Sequence, residues 1–315
     1  MKHRSIGRRR RERNLIIAVA MPVCIAIIVL LVFVFVHVLS DETEVSLTSS
    51  SSEQTTVTEP SVSSEPAVTT ISATVTPTPL PADTPTPTPS FITSLDGYEP
   101  GDVIPDELID TGNLSQYFTI NEINEGDAVF ARIEGQSFVY NNDIGLSDLR
   151  YLKMLHVNFD GCYQVGEMIV NASVAQQVTE IFEQLCEARY EIYSMYLIDD
   201  FWVGNGTDSD TESIDHNNTS CFCYRPASGS SHLSLHALGL AIDIHPQQNP
   251  YVRVNSDGSL SCSHENAQQY VTDRSSDVPH VITESDYAYG LFISAGWTWG
   301  GSWNNPRDYQ HFQFS

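Results

Sequence analysis

The sequence predicts an α+β domain over residues 117–315, because helical and strand-like patterns occur there without the regular alternation of a doubly wound sheet. A helix is predicted over residues 173–190, with Ser173 as its N-cap. Its apolar residues recur at helical spacing: Val174, Val178, Ile181, Leu185 and Ala188. A second helix is predicted over residues 285–294, with Gly296 ending it in the left-handed conformation.

Three short segments of the domain are predicted to be strands. Residues 192–198 are rich in β-branched and aromatic side chains. Residues 241–245 alternate between apolar and polar side chains, which would place Asp243 and His245 together on the face opposite the core. Residues 308–312 follow a stiff segment rich in tryptophan and are predicted to form the third strand.

The N-terminal part of the chain predicts a membrane anchor. Residues 15–39 form an apolar run long enough to cross the bilayer as a helix. Residues 1–14 before it are strongly basic, which is typical of the cytoplasmic side. A cleaved signal peptide is the alternative, but its apolar region is usually shorter and ends in a small-residue cleavage site. We therefore expect a single-pass cell-membrane protein with a cytoplasmic N-terminus and an extracellular domain.

The segment between the anchor and the domain predicts a spacer. Residues 40–95 are mostly Ser, Thr, Pro and Glu, and a segment with so little to bury is expected to be a disordered stalk. Residues 96–116 are a connector for which two placements stay open: they either pack on the domain or continue the stalk.

Charge and cysteine content restrict the partners and leave the pairing of the thiols open. Seven of the 15 basic residues but only one of the 40 acidic residues precede the apolar run, so the rest of the chain carries eight basic and 39 acidic residues. Such an acidic surface excludes nucleic acid as a partner, and a monomer is expected. Five cysteines lie outside the apolar run, and sequence alone does not pair them: Cys162, Cys186, Cys221, Cys223 and Cys262.

Two pairs of a histidine and a carboxylate near the C-terminal end predict one open zinc site. His236 and Asp243 lie on either side of Gly239, which allows the chain to reverse and bring them together. His311 would be the third protein ligand, and catalytic zinc sites with three protein ligands keep a fourth position for water. Asp308, close to His311 in the sequence, would then accept a proton from that water.

Other polar and aromatic residues are candidates for substrate contacts. Arg225 is one of the few basic residues in the domain, and a fixed guanidinium could stabilise an oxyanion. Ser234, Trp299 and His245 are expected to contact the substrate. For His245 a second interpretation stays open, in which it orients one of the metal ligands.

These residues occur in blocks that resemble the zinc D-alanyl-D-alanine carboxypeptidases and the L-alanyl-D-glutamate peptidases, which cut peptidoglycan stem peptides. The resemblance runs from about Tyr117 to Phe314. Its blocks are Asn217-Asn218-Thr219-Ser220, Tyr224-Arg225, the stretch from Ser234 to Asp243, Asn249-Pro250-Tyr251, the stretch from Gly296 to Gly301, and Asp308 with His311. The chain departs from the family at His245, usually asparagine, at Ser302, usually an acid, and at Cys221 and Cys223.

The resemblance implies a small antiparallel sheet flanked by helices, as in the Hedgehog signalling domain. It implies His236, Asp243 and His311 as ligands of one Zn²⁺ ion, Asp308 as the catalytic base, and Arg225 as the substrate or oxyanion contact. We expect a membrane-anchored zinc peptidase whose substrate is a peptidoglycan peptide, in the first place a D-alanyl-D-alanine carboxypeptidase. The alternatives are an L-alanyl-D-glutamate endopeptidase and, in a different class, a wall-binding module without turnover.

Overall fold

A computed structural model describes residues 90–227 and 229–315. Among these residues, no helix combines the length and apolar character needed to cross a bilayer. The predicted cytoplasmic tail over residues 1–14, the predicted membrane helix over residues 15–39 and most of the predicted stalk lie outside the described residues.

The described residues contain four α-helices and ten short strands, which confirms the predicted α+β class. The helices are α1 (Ala128–Ile133), α2 (Ala175–Glu187), α3 (Gly206–Asp215) and α4 (Tyr287–Ser294). The strands are β1 (Val103–Ile104), β2 (Thr119–Glu122), β3 (Leu149–Val157), β4 (Tyr163–Asn171), β5 (Ala241–Asp243), β6 (Tyr251–Val254), β7 (Leu260–Ser261), β8 (Thr298–Trp299), β9 (Arg307–Asp308) and β10 (His311–Gln313).

Both predicted helices are confirmed, as α2 and α4. The apolar side of α2 is buried in the core, in agreement with its spacing. Its N-cap is Val174, which makes no side-chain capping bond, and not the predicted Ser173, whose hydroxyl donates to Asn171 Oδ1 at 2.7 Å. Gly296 follows α4 with φ +89°, the left-handed conformation that was predicted for it.

All strand pairs are antiparallel, and the strands form three sheets. The largest has the order β1-β4-β3-β2, and α2 packs against β3 on one of its faces. The connector over residues 96–116 packs on this domain, since Ile104 and Ile109 are buried in its core. The two smaller sheets have the orders β5-β10-β8 and β7-β6-β9.

The predicted strand over residues 192–198 is wrong. Ile192 N–H donates to the carbonyl of Val157 at 2.7 Å, and the carbonyl of Met195 accepts from Glu167 N–H at 3.0 Å. The segment therefore touches the edges of β3 and β4 at separate points but builds no ladder. Most of the side chains in this segment are buried, and a buried segment is rich in apolar residues whether or not it forms a strand. The composition alone therefore led to the wrong prediction.

The predicted strand over residues 308–312 is divided between two sheets. Asp308 ends β9, which pairs with β6, whereas His311 begins β10, which pairs with β5. The predicted strand over residues 241–245 is shorter than expected and ends at Asp243. The end of β5, the end of β9 and the start of β10 therefore lie close together, and they carry Asp243, Asp308 and His311 respectively.

Candidate metal centre

Local chain geometry places His236 beside Asp243. His236 lies in a 3₁₀ helix, Leu235–Leu238, whose N-cap Ser234 accepts from His236 N–H at 3.3 Å. Gly239 ends this helix with φ +65°, and a Cβ added there would lie 2.5 Å from the backbone nitrogen of Asn171. Only glycine satisfies both the left-handed conformation and the close contact, so the reversal towards Asp243 depends on it.

Strand pairing brings His311 to the same point. His311 is the direct partner of Asp243 in the ladder between β10 and β5. Directly opposed residues on antiparallel strands project from the same face of the sheet. The first residue of β10 and the last residue of β5 therefore present their side chains together.

The three side chains form a compact set of donors. His236 Nε2 lies 3.3 Å from Asp243 Oδ2, His311 Nδ1 lies 3.0 Å from Asp243 Oδ1, and the two imidazole nitrogens are 3.3 Å apart. Donors at 2.0–2.1 Å from a tetrahedral zinc ion are separated by about 3.3 Å, so each pair of residues in the set has the spacing of such a site. It is the one group of this kind found in the part of the chain that the structure describes.

The outer ring nitrogens of both histidines have acceptors. His236 Nδ1 lies 2.6 Å from the carbonyl oxygen of Cys221, and His311 Nε2 lies 3.1 Å from Gln313 Oε1. Each acceptor takes the ring N–H, which leaves the inward nitrogen with a free lone pair. Gln310 Nε2 donates to Asp243 Oδ2 at 3.3 Å and orients the carboxylate. The outer contacts are thus those of a metal-binding set.

Charge within the cluster favours an ionised carboxylate. Burial alone would raise the pKa of Asp243, but His236 and His311 outweigh it and hold this pKa well below its usual range. Burial lowers the pKa of His311, yet the hydrogen bond and charge of Asp243 raise it overall to about 9. A bound cation would take the place of this proton, because metal donors must be deprotonated.

Asp308 is buried beside the donors and has the properties of a proton acceptor. Its Oδ1 atom has no hydrogen-bond partner among the described residues. Burial raises the pKa of Asp308 to about 7, opposed by His311 and assisted by Asp243. Gly300 makes room for it, since a Cβ on that glycine would lie 2.9 Å from the Asp308 Cβ. A carboxyl group with a pKa near neutrality is suited to both accepting and returning a proton.

Arg225 is held in place by a carboxylate that the sequence analysis missed. Its Nη2 atom lies 2.7 Å from Oδ2 of Asp210 on α3, and both side chains are buried. The Nε atom of Arg225 has no partner among the described residues. Asp210 lies on α3 and Arg225 lies in the loop that follows this helix, so the two are too far apart in the sequence for a local spacing pattern to link them.

A cavity of about 770 Å³ joins these groups, a volume typical of ligand pockets. Six of the residues predicted for the site line it: Arg225, Ser234, His236, Asp243, Asp308 and His311. Trp303 also lines it, with its ring centroid 5.4 Å from that of His311.

Trp299, predicted as a substrate contact, lies in the core instead. Its ring is stacked on Phe312, and its Nε1–H donates to the carbonyl of Tyr309 at 2.8 Å. It does not line the cavity. The tryptophan that lines the cavity is Trp303, in the loop before β9. The sequence pattern contains no feature that distinguishes a cavity position at Trp303 from a core position at Trp299.

His245, also predicted as a substrate contact, lies away from the cavity. The chain leaves the strand after Asp243, and His245 has φ +28°, so the alternation that would have placed it beside Asp243 does not continue. Its ring is fully buried and stacked on Tyr190, and burial lowers its pKa to about 3. It makes no contact with the three donors, so the structure does not place it to orient a ligand either.

The five described cysteines are free thiols, so no disulfide joins them in the structure: Cys162, Cys186, Cys221, Cys223 and Cys262. Cys221 contributes to the site through its backbone carbonyl, which accepts from His236. Burial raises the pKa of the Cys221 thiol, which keeps it protonated and apolar. The chain departs from the family pattern here without adding a thiolate to the site.

Comparison with known proteins supports the family resemblance. Residues 228–314 match the family model described as D-alanyl-D-alanine carboxypeptidase, which confirms the predicted family over this stretch. The matched stretch contains all three donors and Asp308, whereas Arg225 precedes it. The match supports a peptidoglycan-related metallopeptidase in general. Searches of curated proteins and of solved structures gave no match.

Proposed function

We propose that the domain is a zinc peptidase that hydrolyses peptidoglycan stem peptides, acting as a D-alanyl-D-alanine carboxypeptidase. One observation carries the proposal: two imidazole nitrogens and a carboxylate converge at 3.0–3.3 Å beside a buried aspartate, inside the stretch that matches the family. The endopeptidase alternative, cleavage between L-Ala and D-Glu, requires the same groups and differs only in which part of the peptide enters the cavity.

The chemistry follows from the residues around the cavity. His236, Asp243 and His311 would hold the ion, which when bound acts as a Lewis acid and lowers the pKa of water. Asp308 would accept the proton of the attacking water and pass it to the leaving amine, because it is buried beside the donors and one of its carboxylate oxygens has no partner among the described residues. Arg225, fixed by Asp210, supplies positive charge for the oxyanion that forms at the scissile carbonyl.

The location of this activity is proposed from sequence. The basic tail and apolar run before the domain favour a single-pass anchor with the peptidase outside the cell, where its substrate lies. The acidic balance of the exterior part, eight basic against 39 acidic residues, is that of a soluble domain without affinity for nucleic acid.

Product analysis tests the proposed reaction. Purified exterior domain is incubated with a pentapeptide muropeptide, with zinc and with a chelator, and the products are identified by mass. Release of the terminal D-Ala only in the zinc sample supports the carboxypeptidase, and release of the peptide from L-Ala identifies the endopeptidase. If zinc-loaded protein, verified by metal analysis, yields neither product, the proposal is wrong.

The same assay separates an enzyme from a wall-binding module. A module without turnover would bind the muropeptide and release nothing. Replacing Asp308 by Asn would then leave its affinity unchanged, whereas an enzyme would lose turnover and keep its zinc. The unpaired Oδ1 of Asp308, buried at the cavity, favours the enzyme, because a binding module has no need of a carboxylate with an unsatisfied oxygen there.

A further inference from the structure

The strand β6 presents a basic side chain to the cavity. Tyr251 and Arg253 both line it, whereas Val252 between them is fully buried on the other side of the strand. Tyr251 is the direct ladder partner of Asp308 on β9. Arg253 therefore lies on the same face of the sheet as Asp308, two residues farther along, which is about 7 Å.

Arg253 has no ionic partner in the part of the chain that the structure describes. Six of the eight basic residues beyond the apolar run are engaged by a carboxylate, a carbonyl or a side-chain amide: Arg132, Arg150, Lys153, Arg189, Arg225 and Arg274. Arg253 makes only a cation–π contact with Tyr251, its guanidinium carbon 5.6 Å from the ring centroid. Arg307 is likewise unpaired, but it does not line the cavity.

The other charged side chains that line the cavity are either paired with a group of opposite charge or negative. Asp210 pairs with Arg225, and Asp243 is engaged by the two histidines. Asp308 is a carboxylate that would repel an anion. Of the two arginines that line the cavity, Arg253 is thus the one without a carboxylate partner among the described residues, and its planar fork matches a carboxylate.

We propose that Arg253 binds a free carboxylate of the peptide substrate and so sets how far the scissile bond lies from that carboxylate. This inference rests on the proposed function and names the substrate class: a peptide with an unblocked carboxylate near the bond that is cut. The two proposed reactions suggest two candidates, the terminal carboxylate and that of D-Glu, and both have the required chemistry.

Substrate pairs with and without each carboxylate test the proposal. The free-acid pentapeptide is compared with its C-terminal amide and with the peptide whose D-Glu carboxylate is amidated, on wild type and on Arg253→Gln. Because Arg253 is exposed, we expect Arg253→Gln to raise KM for the free acid by only about tenfold with kcat unchanged. One of the two amidated peptides lacks the carboxylate that Arg253 binds, and for this peptide wild type and Arg253→Gln should have the same KM. The peptide that shows this equality identifies the bound carboxylate.

Arg307→Gln is the matched control, since Arg307 lies on the neighbouring strand β9, paired with Val252, and is also unpaired and exposed. It should behave as wild type on all three peptides. Equal loss for all three peptides in Arg253→Gln, or no loss at all, would overturn the inference. Calorimetric binding of the same peptides to zinc-loaded protein keeps the outcomes separate: absence of cleavage refutes the proposed function, and equal affinity of wild type and Arg253→Gln refutes the role of Arg253.

Discussion

Replacing Asp308 by Asn is expected to stabilise the metal-free domain while abolishing turnover. The side chain is buried, and its pKa is raised from 3.8 to about 7. Because the native state holds this proton more tightly than the unfolded chain, the group's contribution to stability is complete below pH 4 and is lost as the pH rises through 7. Asn keeps the shape and cannot ionise, so it retains this contribution at all pH values.

The size of the effect follows from the pKa. One pKa unit corresponds to about 1.4 kcal/mol, so the charged carboxylate lowers the free energy of unfolding by about 4 kcal/mol at pH 8. For a domain of this size that amounts to an increase in Tm on the order of 10 °C in Asp308→Asn. At pH 4 the difference falls to about 1 kcal/mol or less, because both proteins are then neutral at this position.

Thermal unfolding in the presence of a chelator, followed by circular dichroism at pH 4 and pH 8, measures the difference. Asp277→Asn is the control, since Asp277 is exposed and does not line the cavity. With zinc restored, Asp308→Asn should lose about 10²–10⁴-fold in kcat, the range for a general base. A decrease of Tm that is the same at both pH values would refute the view of Asp308 as a buried, destabilising charge poised to take a proton.

Three further changes have defined outcomes. Gln313→Ala removes the acceptor of His311 Nε2–H, and zinc affinity, measured by competition with a chromogenic chelator, should fall about 10–100-fold. Gly239→Ala places a Cβ against Asn171 N at a positive φ, and denaturant unfolding should show a loss of at least about 2 kcal/mol. Burial lowers the pKa of His156 to about 4, so the native state excludes its proton. Wild type should lose about 3 kcal/mol from this group between pH 7 and pH 4, and His156→Phe should not.

Each of these changes has a matched control in the chain. Gln176→Ala tests loss of a glutamine on the exposed surface of α2 and should leave zinc affinity unchanged. Gly135 has φ +74° with no heavy atom within 4 Å of an added Cβ, so Gly135→Ala isolates backbone strain from collision. His216→Phe changes an exposed histidine and should keep the pH dependence of wild type. Equal effects in variant and control would contradict the structural reasoning in each case.

Sequence reasoning succeeded where the relevant geometry is local or repeats a family block. Gly239 and the short separation of His236 from Asp243 suffice to predict their proximity, because the chain reverses once between them. His311 was predicted as the third ligand from its residue type, its neighbour Asp308 and the family resemblance, without a geometric reason for its position. The physical cause is its register opposite Asp243, a long-range pairing that no local pattern contains.

The wrong or missing predictions concern places where a strand ends early or where the contact is between distant parts of the chain. His245 left the predicted face because β5 ends two residues earlier and the backbone enters a positive φ. Residues 192–198 have strand composition because they are buried against β3 and β4, not because they pair. The partnership of Arg225 with Asp210 depends on how α3 packs, which composition does not encode.

The division of the segment from Asp308 to His311 between two sheets has a mechanical consequence. The ligand His311 is fixed to β5, whereas Asp308 is fixed to β6, the strand that also bears Arg253. The proton acceptor and the ligand are therefore positioned by two different ladders, and the distance between them depends on how the two small sheets pack together. Gly300 lies against both side chains, since a Cβ there would be 2.9 Å from the Cβ of Asp308 and 3.2 Å from that of His311, so a larger residue at this position would push the acceptor and the ligand apart.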